Sequence, residues 1–451
     1  MLVTVLALIG TTVSLFKINQ AQQLAVERHV DSVETLEEIT VLTRRLTKQP
    51  GVQRDIQRAT RKLFEKYAAT TTAREKSSPE YARTLVRIAG MSEQLSDYDA
   101  AIQRYREAAD AYHALAGTDP SVLLDEAKSR NNLGKVLAAT GRATQASQEY
   151  AAALKILDQL PQNEVEVQRG LALVAGNQGV LAAKKAQSAD ALASFRRAID
   201  LRTEIAKRFP DDIDNQIRLA SNFHNLSSQL IAEDLDEAEH YCNLAIEIQQ
   251  QIFQQRKSEL QPRVDLAVSW NNLGSIALRK QQFDVAATLY STAVRDGRAL
   301  VNEAPQIPAL RSDLAISCNN LGKARKLEGD FAAAILAYEE AGREFGKLAA
   351  VLPNDAATQA RFGGTLYNQA VVYTKPGVRD LAKATRLFKQ AIEAQKRSIQ
   401  LAPEIKTYSA YLQQSLTGLV AVFSATGNEI ELALLRQAIT DLGAKEKQNA
   451  N

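Results

Sequence analysis

The chain has 451 residues, 55 basic and 52 acidic, for a formal charge of +3. The charges are interleaved, so no basic stripe runs along the chain to neutralise a phosphate backbone, and nucleic acid is excluded as the expected partner. Only 11 prolines occur and strong helix formers dominate, which points to an all-α protein.

In chain order the first element is Leu2 to Phe16, free of charge but only 15 residues long. A bilayer-spanning helix needs roughly 20. A membrane anchor or its truncated remainder over residues 1–17 is expected, with a cleaved signal or a buried helix as alternatives. A charge-free start inside an apolar span is also what a mis-assigned initiation codon produces, although a genuine short anchor looks the same. No basic residue precedes the span, so its orientation is left open. Residues 18–76 read as a helical stalk, broken by Gln49-Pro50-Gly51 and followed by a helix to about Arg74 and a loop, "TTTAREKSSPE".

From residue 77 to 440 the chain repeats itself. The stretch "WNNLGSIALRKQQFDVAATLYSTAV" at 270 to 294 has near copies on both sides. Aligning its second asparagine gives Asn132, Asn177, Asn225, Asn272, Asn320 and Asn368, spaced by 45, 48, 47, 48 and 48 residues. One period before Asn132 lies Arg87, where the asparagine is absent but Tyr98, Ala101, Tyr105 and Ala108 keep the pattern. Seven units result, with a degenerate eighth near "SLTGLVAVFSATGN" at 415 to 428. The fourth and seventh need a one-residue deletion and a two-residue insertion, the latter marked by "TKPGV" at 374 to 378.

Within a unit, Leu273 and Gly274 precede a polar turn, and Ala286, Tyr290 and Ala293 follow at i, i+4 and i+7. That spacing predicts two antiparallel helices, the second with one apolar stripe. Gly274 is expected to let the helices approach closely. Pro210, Pro305, Pro353 and Pro403 are expected to stop the second helices. Residues 441–451 read as a polar tail.

These residues resemble the tetratricopeptide repeat, whose Trp, Leu-Gly, Ala, Tyr, Ala pattern is matched best by Trp270, Leu273, Gly274, Ala286, Tyr290 and Ala293. Ala277 and Leu137 depart from it, standing where an aromatic is usual. The period exceeds the familiar length of about 34 and resembles the lengthened repeats of kinesin light chains, which also carry Asn-Asn-Leu. The resemblance implies a right-handed α-solenoid of helix pairs, preceded by an N-terminal apolar helix. The order of anchor, stalk and long repeats also resembles the region C-terminal to the kinase domain in membrane-anchored serine/threonine kinases of planctomycete bacteria. That layout favours repeats outside the cytoplasm, on a membrane-anchored chain.

In such a fold the first helices line the concave face, so the asparagines form a ladder. Asparagine is a poor helix former, and its amide suits it to hold a peptide backbone. It also suits it to bond a neighbouring unit and set the spacing. The candidate partner-binding set is Asn131, Asn132, Asn177, Asn225, Asn271, Asn272, Asn319, Asn320 and Asn368, with Lys135 and Lys323 three positions on from a ladder asparagine. The residue before each ladder asparagine varies, which would tune specificity.

No kinase glycine loop, catalytic loop, nucleophile elbow, Walker A loop or His-Glu-x-x-His helix occurs. His240 and Cys242 are two apart on a helix and point away from each other. Cys242 and Cys318 fall at packing positions, so neither metal nor disulfide is expected. The expected function is a membrane-tethered, non-enzymatic scaffold holding a peptide or protein in its groove, without cofactor. The alternative is a detached sensory or regulatory region of a receptor kinase.

Overall fold

The computed structural model describes residues 50–70, 77–117 and 119–448, and among them helices are joined by short turns with no strand. A first helix, α1 (Pro50–Thr70), precedes eight pairs. These are α2 (Pro79–Gln94) with α3 (Tyr98–Ala116), α4 (Pro120–Ala139) with α5 (Ala143–Leu157), α6 (Val165–Lys184) with α7 (Ser188–Arg208), and α8 (Ile213–Leu230) with α9 (Leu235–Gln255). Then come α10 (Gln261–Arg279) with α11 (Phe283–Glu303), α12 (Pro308–Glu328) with α13 (Phe331–Val351), α14 (Ala356–Val372) with α15 (Leu381–Leu401), and α16 (Lys406–Thr426) with α17 (Glu429–Gln448). The degenerate eighth repeat is therefore a complete pair.

The chain divides into two compact units, one ending at Asn215 and one starting at Gln216. In the first, α1 begins at Pro50 itself, where the missing N–H costs nothing. It buries Phe64 and Ala68 against Ile88 and Met91 of α2, and Arg61 bonds Asp97 at 2.8 Å. A continuous core then runs from Ala89 through Tyr105, Leu133, Tyr150 and Leu171 to Leu181. In the second unit the same positions recur as buried groups around Tyr290, Cys318 and Phe388.

Sequence chemistry ends each helix. The α7, α11, α13 and α15 helices stop at Arg208, Glu303, Val351 and Leu401, each two residues before a proline. Their caps, Phe209, Ala304, Leu352 and Ala402, have φ −134°, −133°, −121° and −147° with ψ between 61° and 74°, out of the α region that a following proline disfavours. Asp234, Asp330 and Asp380 cap the next second helices by accepting from their first-turn N–H groups.

In four of the repeats the glycine is a seat for a ring. A methyl on Gly274 would lie 2.8 Å from Tyr290 Cε1, and the same holds for Gly134 on Tyr150 (2.6 Å), Gly179 on Phe195 (2.6 Å) and Gly322 on Tyr338 (2.8 Å). The fourth repeat replaces both partners together: Ser227 takes the glycine position, Cys242 the ring position, and Ser227 Oγ donates to Ala238 O at 2.7 Å. In the seventh, Ala370 stands at the glycine position, and Phe388 lies instead on Gly418 of α16.

No helix among the described residues is long and apolar enough to cross a membrane. The membrane-anchored localisation expected from the sequence is withdrawn on that finding, and with it the placing of the repeats outside the cytoplasm. The segment on which it rested, residues 1–17, lies outside the described residues.

Candidate functional site: the asparagine ladder

The ladder residues lie near the middle of the first helices, and their hydrogen bonds follow one rule within each unit. The amide of a ladder asparagine donates to the residue that precedes the ladder asparagine of the repeat before. Asn177 Nδ2 donates to Asn131 Oδ1 at 2.9 Å, Asn320 Nδ2 to Asn271 Oδ1 at 3.5 Å, and Asn368 Nδ2 to Asn319 Oδ1 at 3.2 Å. Asn272 Nδ2 reaches the His224 ring at 2.9 Å and Ser228 Oγ at 3.1 Å.

The preceding residue makes a second bond, one turn lower on the same neighbour. Asn271 Nδ2 donates to Ser317 Oγ, Thr365 Oγ1 donates to Asn319 Oδ1 at 3.4 Å, and Ser269 Oγ meets His224 Nδ1 at 3.5 Å. One position of a first helix is thus clipped by two positions of the first helix that follows. Each clip is worth about 1 kcal/mol at typical net hydrogen-bond strength.

This corrects one expectation. The variable position, occupied by Asn131, Gly176, His224, Asn271, Asn319 and Tyr367, is in four repeats an acceptor or donor for the next helix, not a free specificity group. Asn131 is 1% exposed. Ser269, Ser317 and Thr365 were not singled out from the sequence, although they stand three residues before the ladder asparagines at the same period.

Asn132 and Asn225 differ from the rest. Both are half-buried, and neither makes a side-chain hydrogen bond among the described residues. For Asn132 the reason is in the sequence: the corresponding acceptor position of the first repeat is Val86. Lys135 pairs with Glu93 at 2.7 Å and is not a free cation, whereas Lys323 is exposed.

Burial holds the His224 imidazole below its ordinary value of 6.5, which keeps a ring nitrogen free to accept from Asn272. Cys242 and Cys318 are buried free thiols, Cys242 pushed up to about 12 by desolvation and Cys318 higher still. Among the described residues no group of three or more His, Cys, Asp or Glu could hold a metal ion.

No protein-family model and no curated protein matches the sequence. Solved structures do. RapI in its apo form is 13% identical, covers 81% of this chain and 98% of its own length, and has a TM-score of 0.53. A signal-transduction ATPase with numerous domains and a tetratricopeptide repeat sensor, from Pyrococcus horikoshii, is 14% identical with a TM-score of 0.52. That match covers 86% of this chain and 52% of the ATPase. BtubC from P. vanneervenii is 21% identical over 57% of the chain, with a TM-score of 0.44. At these identities the likeness to RapI and to the ATPase concerns fold alone, and it gives no support to a kinase-receptor layout. The repeats of this chain are tetratricopeptide-like helix pairs.

Proposed function

We propose that the chain is a non-enzymatic interaction module whose first helices hold an extended peptide from a protein partner. The observation that carries this reading is the half-used amides of the ladder. Asn177, Asn272, Asn320 and Asn368 each donate through Nδ2 to their own chain, while among the described residues their Oδ1 atoms accept nothing from it. These oxygens are not fully buried, and those of Asn272, Asn320 and Asn368 recur at one-repeat intervals within the second unit. An extended peptide carries N–H donors all along its length, and acceptors on a rigid scaffold take them irrespective of side chain.

The structural and binding roles weighed from the sequence are thus compatible: the N–H end of each amide joins repeats, and the C=O end is left for a partner. Asn132 and Asn225 separate the two roles experimentally, because neither holds the fold together through its side chain. Nonapeptides selected by display on the full chain would be measured by fluorescence anisotropy against Asn132→Ala with Asn225→Ala. The reading expects affinity to fall about tenfold, the worth of one or two hydrogen bonds, at an unchanged melting temperature. Unaltered affinity, or a selection that yields no binding peptide, would refute it.

A further inference from the structure

Three lysines of the second unit gather where the C-terminal ends of α12 and α14 lie side by side. Lys323 and Lys326 are one turn apart on α12, and Lys375 belongs to the turn after α14. The ladder bonds fix how these two helices lie. Asn319 Oδ1 accepts from Thr365 Oγ1 and from Asn368 Nδ2, 46 and 49 residues further along the chain. Lys326 stands two turns beyond Asn319, so the same offsets set it against residues 372 and 375. Bonds from Thr374 N to Val371 O and from Lys375 N to Val372 O carry the helical path past the end of α14.

At the place of Lys326 the sister repeats carry Ala138, Ala183, Ile231, Leu278 and Thr374, none of them charged. Here a half-buried lysine replaces them. Among the described residues, none of the three lysines makes a hydrogen bond or an ion pair. The carboxylates of this stretch are engaged elsewhere: Glu328 by Arg325 at 2.9 Å, Glu339 by Lys383 at 3.2 Å, and Asp330 and Asp380 as caps of α13 and α15. Burial, together with the like charges of Lys323 and Lys375, holds the Lys326 ammonium below its ordinary value of 10.5. A basic residue in a last turn complements the helix dipole, but that role asks for neither burial nor three like charges together. Charges withdrawn from water are normally paired, and no described residue is the partner here.

We infer that Lys323, Lys326 and Lys375 form a binding site for a phosphate monoester. A single carboxylate would leave two of the three charges unanswered. A phosphate monoester brings nearly two negative charges at neutral pH and three terminal oxygens, one for each ammonium. Lysine binds phosphate as a point charge, without the fork geometry that arginine imposes. Two sources carry this group: a small phosphorylated molecule, and a phosphorylated side chain of a ladder-bound peptide, since Lys323 lies three residues from Asn320.

The test titrates the full chain by calorimetry near neutral pH in physiological salt. The probes are the acetylated amides of phosphoserine and of glutamate, and a capped alanine-glycine nonapeptide with a central phosphoserine. The phosphoserine amide is expected to saturate one site and to bind about tenfold more tightly than the glutamate amide. Lys326→Leu, which copies Leu278, should weaken phosphate binding about tenfold or more, the loss of one charge-assisted bond. Lys375→Ala should do the same from a turn, without touching a helix. Lys406→Leu removes an equal charge from the start of α16 and should change nothing. A nonapeptide that binds more tightly than the amide marks a peptide as the carrier of the phosphate, and one that binds no more tightly marks a small molecule. Phosphate binding that survives Lys326→Leu and Lys375→Ala, or that Lys406→Leu weakens equally, overturns the site. Equal affinity for the phosphoserine and glutamate amides, or no binding of either phosphate probe, overturns it too. None of these results touches the ladder oxygens, so the peptide reading stands or falls separately.

Discussion

Replacing Gly274 with alanine is the sharpest test of how the repeats pack, because ordinary helix chemistry predicts the opposite sign. In a helix interior, glycine to alanine normally stabilises by about 0.5–1 kcal/mol. Here the added methyl would stand 2.8 Å from Tyr290 Cε1 and 2.9 Å from Cδ1. Tyr290 is 1% exposed, and its hydroxyl is held by Ser275 Oγ at 3.0 Å, so the ring has no free direction in which to move. Overpacking of this kind costs about 1–3 kcal/mol, and after the propensity gain a net loss of about 1–2 kcal/mol remains. Gly297→Ala is the internal control: its methyl meets Leu314 at 3.4 Å, and it should stabilise by a few tenths to about 1 kcal/mol. The double substitution Gly274→Ser with Tyr290→Cys, which copies the Ser227 and Cys242 pair, should be less destabilising than the two single changes summed. Urea unfolding by circular dichroism gives the global effect, and hydrogen exchange over α10 and α11 gives the local one. Equal and stabilising effects of Gly274→Ala and Gly297→Ala would refute the ring-seat account.

Cys242 and Cys318 should resist a disulfide reagent in the native chain and react only after denaturation; modification of both within minutes under native conditions would contradict their burial. His224, held below 6.5 when folded, contributes stability that is present above pH 6.5 and lost as pH falls through that value toward the folded one. Melting temperature should therefore drop between pH 7 and pH 5.5, and His224→Gln, which keeps an acceptor for Asn272, should flatten the drop. Gln281 turns the chain between α10 and α11 at φ 61°, where the first repeats use Ser96 and Gly141. Gln281→Gly should stabilise by up to about 1 kcal/mol, read as a higher urea midpoint, by removing the cost of a left-handed side-chain residue.

Much of the fold was legible because its determinants are local and periodic. The spacing of Ala286, Tyr290 and Ala293 identifies a buried stripe within one helix, and each proline two residues past a helix end acts on its own backbone. Gly274 was expected to bring helices together. It does so as the floor for the Tyr290 ring, a fact of partner geometry that helical periodicity does not contain.

The candidate site was half legible for the same reason. A recurring asparagine shows that an amide is wanted on one face, but not which atom of it is used. That Asn320 donates to Asn271, and Asn271 to Ser317, depends on how one first helix slides along the next. Lys326 escaped notice because the repeat alignment followed positions that are kept, whereas this lysine stands where its sister repeats have uncharged residues. The membrane localisation rested on residues 1–17 alone, and no described helix supports it.

The central claim is that the first helices hold a peptide through the free oxygens of amides whose nitrogens hold the repeats together. It is tested most directly by the side-chain amide resonances of asparagine, labelled selectively in the full chain and assigned by substitution. On titration with a display-selected nonapeptide, the signals of Asn272, Asn320 and Asn368 should shift together and saturate, with their Nδ2 protons slow to exchange before and after. Shifts confined to asparagines off the first helices, or none at saturating peptide, would contradict the account.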